Sequence, residues 1–236
     1  MGALIFILIL AAVAAAAIYA YVQKQKRREA LATFALQNKL EYSRVDPFDL
    51  IDSDFHLFGL GDGRGCENLL WGDWHGLTVK EADYWYYTES RDSEGHTSRS
   101  YHRFSIVLAE LLAFLPWVTI ARESLFTRLA DALSFHDLDF ESEDFNRLFQ
   151  VKGSDREFAY KLIDARMMQW LLSTQGEFAF EVNGPNLLVW CDRLDPMRLV
   201  PLFGSAALFR DHIPRLVWSE YGTGSAASPE GERSTS

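Results

Sequence analysis

Hydrophobic and polar positions divide this chain sharply. From Ala3 to Val22 every residue is apolar or aromatic, ALIFILILAAVAAAAIYAYV, and Lys24, Lys26, Arg27 and Arg28 follow at once. A helix needs about 20 apolar residues to cross a hydrocarbon core. The pattern predicts a transmembrane anchor over residues 1–23. No basic residue precedes the run, and the run outlasts the short core of a secretory signal. A-x-A sites such as Ala15 and Ala17 are the feature a cleaved signal would use. An interfacial helix needs a polar face, which this run lacks.

Residues 24–40 continue in helical fashion. Leu31, Phe34, Ala35 and Leu40 share a face, and Ala, Leu, Lys and Gln favour helix. A soluble domain is predicted over 41–221. Its first half reads as strands: ENLLWGDW and GLTVKEADYWYYT around a His75-Gly76 turn, then HRFSIVLAELL, then WVTIARES after Pro116. Aromatic and β-branched residues dominate, and short or polar connections imply an antiparallel meander. SLFTRLADALSF reads as a helix, DLDFES as a short alternating strand, SEDFNRLF as a helical turn capped by Ser142, and FQVKG as a strand.

Ser154 followed by Glu157 fits a capping box opening one long helix to about Ser173. EFAFEV and LLVWCD flank Asn183-Gly184-Pro185-Asn186, which predicts a hairpin. PMRLVPLFGSAALFRDHI reads as a last, partly broken helix. Residues 222–236 lack apolar periodicity and read as a disordered tail. The fold class expected is α+β: an antiparallel sheet with helices on one side, preceded by one N-terminal transmembrane helix.

Charge orients this arrangement. Four cations flank the C-terminal end of the span and none flanks the other, so the positive-inside rule places the N-terminus outside and the domain in the cytoplasm. The expected location is the cell membrane, single-pass, with the lipid bilayer as first partner. Tyr19 and Tyr21 fall where an aromatic belt meets headgroups. The net charge is −10 even with that basic cluster included, so the body is more acidic still. That excludes nucleic acid as a natural partner. Lys24, Lys26, Arg27 and Arg28 are the candidate membrane-surface contacts. Ala11, Ala12, Ala15 and Ala16 form two small-xxx-small pairs, a basis for weak homodimerisation through the span.

The stretch ESEDFNRLFQV, followed by SDREFAYKLIDARMMQWLL, resembles an uncharacterised family of bacterial single-span membrane proteins. HRFSIV, LPW and IPRLVW fit the same family, so the resemblance runs from the anchor to about Tyr221. It implies a membrane-anchored domain of unknown function and supplies no catalytic residues. The family pattern has a Pro before Arg166. Its absence here predicts a straighter helix.

Candidate chemistry is sparse. The glycines at 59, 61, 63 and 65 do not satisfy G-x-G-x-x-G, because the third glycine is Arg64 or Cys66 in either frame. They read as a flexible turn. Asp137, Asp139, Glu141, Glu143 and Asp144 form the densest acidic cluster, without EF-hand spacing, and read as a solvated strand face. Six scattered histidines make no ligand pair, so neither metal nor cofactor is expected. Cys66 and Cys191 read as inert thiols.

Tyr84, Trp85, Tyr86 and Tyr87 alternate across a strand. One pair can fill the core and leave the other partly exposed, which makes the run a candidate interaction surface; the alternative is a sheet covered on both faces, with both pairs buried. The leading reading is a protein-interaction or scaffolding module with a protein partner still to be identified, rather than an enzyme. The alternative is an enzyme at the inner leaflet with its site between the polar 89–102 loop and the sheet.

Overall fold

The computed structural model describes residues 2–126 and 138–222. It shows an α+β fold built on a six-stranded antiparallel sheet. Helix α1 (Gly2–Gln37) enters the domain, followed by β1 (Glu41–Val45), β2 (Gly63–Asp73), β3 (Thr78–Arg91) and β4 (Thr97–Ala121). Then come α2 (Glu123–Phe126), α3 (Glu143–Leu148), β5 (Gln150–Gly153), α4 (Arg156–Leu162) and α5 (Ala165–Ser173). The chain closes with β6 (Ala179–Asp192), α6 (Leu199–His212) and α7 (Arg215–Tyr221).

Strands β1 to β4 form the expected meander. The β2–β3 turn is tight, with His75 and Gly76 both at positive φ, as a two-residue hairpin requires. β4 pairs with β3 through residues 97–109, with β6 through 104–120 and with β5 at its end.

Period-2 alternation sends the sheet's side chains into two cores. On one face Leu70, Val79, Val107, Val118 and Ile120 meet α1 and α3–α7. On the other, Ala82, Tyr84, Tyr86, Phe104 and Ile106 are covered by the chain from Leu50 to Leu60. The Tyr84 hydroxyl donates to the Leu57 carbonyl at 2.9 Å, fastening this cover. The backbone N–H and Nδ1 of His56 lie 2.9 and 2.7 Å from Glu181 Oε1, which also accepts from Trp117 Nε1 at 2.8 Å.

Several local expectations are corrected. HRFSIVLAELL and WVTIARES are one strand, β4, which runs through Pro116. The 183–186 segment is not a hairpin. β6 continues through it, with Gly184 (φ 58°) opposite Leu115 and a register shift on either side of that pair. Long-range pairing with β4 overrides the local turn signal. Pro116, which has no N–H to donate, sits inside this irregular stretch.

The predicted long helix is two, α4 and α5. Asp155, not Ser154, caps the first by accepting from Phe158 N at 3.0 Å. Asp164 caps the second by accepting from Met167 N at 2.8 Å. An N-cap needs extended backbone, so Asp164 breaks the helix where the absence of proline suggested straightness. Ser142 caps α3 as expected.

The DLDFES strand is irregular over residues 138–142, although Leu138 and Phe140 are buried between exposed Asp139 and Glu141. Asp137 and most of SLFTRLADALSF lie outside the described residues, as does the tail from residue 223. Gly222 bridges to Ala113.

α1 is a single uninterrupted helix, in which the basic segment continues the apolar run without a break. Its most apolar window is wholly exposed and is long and apolar enough to cross a membrane. The same helix ends inside the domain, with Leu31, Phe34 and Ala35 buried against the sheet and α6. Phe34 and Trp74 both stack on Phe203, with centroids 5.8 and 4.6 Å away. Burying a Leu or Phe side chain contributes about 1.5–3 kcal/mol, so these residues bind the helix firmly to the domain.

Candidate groove at the base of the apolar helix

The four basic residues after the span have different surroundings. Arg27 points into the domain. Its Nε donates to Asp83 Oδ2 at 2.7 Å, a second nitrogen pairs with Oδ1, and a third contact reaches the Leu194 carbonyl at 2.7 Å. The two side chains are 11% and 4% exposed. Asp83 also accepts from Asn68 Nδ2 at 2.9 Å, and Asn68 accepts from the Tyr42 hydroxyl at 3.1 Å. Arg27 therefore clamps α1 to β3 and to the loop after β6. Lys24 pairs with Glu67 at 2.5 Å. Arg28 is half-buried and Lys26 is exposed.

Glu81 lies two residues from Asp83 on the same sheet face and is fully buried. Neither of its carboxyl oxygens has a hydrogen-bond partner among the described residues. Burial first, then the nearby Asp83, push its carboxyl well above the ordinary range, with Arg27 opposing. Parity in β3 is the sequence signal that places both carboxylates on the face α1 covers.

Beyond Asp83 the same face changes character. Trp85 and Tyr87 are half-buried and near-parallel, with ring centroids 6.3 Å apart. Tyr101 of β4 joins them at 5.9 and 5.5 Å. Arg99 lies over Tyr87 at 4.5 Å and Arg103 over Tyr101 at 5.1 Å. Tyr84 and Tyr86 are buried in the opposite core. The four-aromatic run thus contributes one pair to the core and the other to a partly exposed patch.

Glycine makes room for that patch. A Cβ on Gly63 would stand 2.5 Å from the Tyr87 ring, and one on Gly65 2.9 Å from the Trp85 ring. The glycine run, expected to be a flexible turn, therefore enters β2, where Gly63 and Gly65 let the rings lie across the strand.

A cavity of about 830 Å³ opens between α1 and this face. α1 lines it from Ala20 to Ala30, Glu67 and Arg103 come from the sheet, and Arg193 to Met197 form the opposite wall. Arg193 N donates to the Arg103 carbonyl at 3.2 Å, which holds the two arginines side by side. Partial desolvation, followed by the positive charges of Arg27 and Arg103, lowers the proton affinity of Arg193.

The 89–102 segment is a paired ribbon continuing the β3–β4 ladder to Arg91 and Thr97. Arg99 Nε donates to Glu89 Oε1 at 2.8 Å, and the Ser90 and Ser98 hydroxyls meet at 2.8 Å. Asp92 Oδ1 accepts from the Glu94 and His96 amides to close the turn. Among the described residues no group of three or more His, Cys, Asp or Glu side chains is placed to hold a metal ion. Both cysteines are free. Desolvation by burial leads the effects that raise both thiols' pKa values.

No protein-family model matches the chain, and no curated protein matches it. Among solved structures, the fold resembles that of the mycobacterial trehalose monomycolate transport factor A, TtfA. The TM-score is 0.55 at 12% identity, covering 80% of this chain and 96% of the other. At that identity the likeness is one of fold. Neither the basic cluster nor the groove was legible as a pocket in sequence, because Arg103 of β4 and Arg193, just past the end of β6, are far apart in the chain.

Proposed function

We propose that this protein is a single-pass membrane accessory factor of lipid or glycolipid transport. In this reading its domain faces the cytoplasm and assembles with a protein partner. The observation that carries the reading is the continuity of α1 from an exposed apolar stretch into the domain core. Such a helix does more than tether. It fixes which face of the domain looks at the bilayer, and a factor that positions a partner needs that fixity. The transport role is supported by the fold shared with a transport factor. The cytoplasmic side is supported by the cations that follow the span.

The test is a strain lacking the chain, pulse-labelled for its envelope lipids. Accumulation of a lipid on the cytoplasmic side, restored by the full chain but not by residues 24–222, which keep Arg27, Leu31 and Phe34 and lack only the apolar stretch, is the expected result. An unchanged lipid distribution would overturn the transport reading. A C-terminal reporter exposed to protease outside intact cells would overturn the orientation.

A further inference from the structure

The groove beside α1 has more positive charge than its own carboxylates neutralise. Lys24 is matched by Glu67, and Arg27 by Asp83. Asp195, on the rim, accepts from the Met197 amide at 2.9 Å. Arg103, Arg193 and Lys26 remain without an ion pair to any described carboxylate, and all three line one cavity. Like charges held together in this way make an anion site.

The cavity also lies at a particular height. Its lining begins at Ala20, within the exposed apolar stretch, and runs through the first cations. Ala20 and Met197, the latter 80% exposed, give the upper part an apolar edge above the guanidiniums. A free phosphate would use the charges and leave this edge wet. A phospholipid would use both.

We infer that the groove formed by α1, Arg103, Arg193 and Met197 binds the phosphodiester headgroup of one anionic membrane lipid. Arg103 and Arg193 grip the phosphate with their planar donor forks. Lys26 adds charge from the helix side, and the acyl chains rise along α1 past Ala20. Such a lipid would relieve the repulsion among Arg27, Arg103 and Arg193. It would also seal the angle between helix and domain. The inference rests on α1 being a membrane anchor.

The test uses the full chain, released in a neutral detergent and examined by native mass spectrometry. It is titrated separately with phosphatidylglycerol, phosphatidylcholine and inorganic phosphate. One phosphatidylglycerol should bind saturably, with affinity at least about tenfold above phosphatidylcholine. R103Q/R193Q should lose that preference, whereas R103K/R193K should retain part of it. Both side chains are exposed, so melting temperatures should stay close to the parent's, and the lysine variant separates charge from folding.

Equal binding of the two lipids, or an unchanged preference in R103Q/R193Q, would overturn the inference. Inorganic phosphate that displaces the lipid at similar concentration would assign the site to a soluble anion and overturn it too. A chain extracted from membranes by carbonate would sink the anchor reading itself. A firmly anchored chain without lipid preference would sink only the headgroup site.

Discussion

Arg27 of α1 and Asp83 of β3, 56 positions apart, form a nearly enclosed bidentate pair that joins the apolar helix to the sheet. Such a pair is costly to bury and costlier to break, since removing one partner strands the other's charge. The reach of Arg27 to the Leu194 carbonyl extends the clamp to the loop before α6.

Arg27→Met should therefore destabilise the domain by about 3 kcal/mol, the usual cost of leaving a buried charge unpaired. Asp83→Asn should also destabilise, because Arg27 loses its counter-ion. The double variant should cost clearly less than the two singles combined. Chemical denaturation of the four proteins measures this coupling, and simple additivity would show that the pair is only geometric.

Glu81 gives a pH dependence with a definite sign. Its carboxyl is raised in the folded protein, while in the unfolded chain it titrates near the ordinary value of about 4.3. Between those two values the folded state holds more protons than the unfolded one. Stability from this group is complete below the unfolded value and falls as pH rises towards the folded one. Glu81→Gln, which stays neutral, should flatten the decline in melting temperature above about pH 5 and exceed the parent in stability at higher pH. Parallel profiles for parent and variant would show that Glu81 does not titrate abnormally.

Gly63 and Gly65 make a prediction about the aromatic patch. Alanine at Gly65 would drive its Cβ into the Trp85 ring, and alanine at Gly63 would meet the Tyr87 ring. Both rings are half-buried and can swing away, so each substitution should cost about 1 kcal/mol or less while turning the rings outward. Near-ultraviolet circular dichroism should change while far-ultraviolet spectra stay the same. An unchanged aromatic signal would mean the rings are not held by the strand.

The layout was legible wherever one local rule sufficed. The apolar run, the β2–β3 turn, the Ser142 cap and the division of Tyr84/Tyr86 from Trp85/Tyr87 follow from period and propensity. The misreadings came where distant pairing decided. Asn183-Gly184-Pro185-Asn186 carries a strong turn signal, yet β4 holds it extended as part of β6. Ser154 and Asp155 are both competent caps, and the geometry selects Asp155. The basic cluster read as four equivalent surface charges because nothing local shows that Asp83 lies under Arg27. The groove was hidden for the same reason: only the pairing of β4 with β6 brings Arg103 beside Arg193.

The continuity of α1 yields the last prediction. Each residue inserted in a helix turns what precedes it by about 100° and lifts it by about 1.5 Å. Two alanines placed after Tyr21 would rotate the apolar stretch by about 200° relative to the domain, leaving Arg27, Leu31 and Phe34 in place. Seven alanines would restore the original rotation to within about 20°, with a rise of about 10 Å. If the domain only needs tethering, both variants should support lipid transport equally in the deletion strain. If α1 sets the domain's face towards its partner, the two-residue insertion should fail although the protein is folded and membrane-bound. The seven-residue insertion should then recover part of the activity. A flexible Gly-Ser insertion at the same place is the decisive control. Full activity from a chain whose helix has been interrupted would show that rigid coupling between span and domain has no part in function.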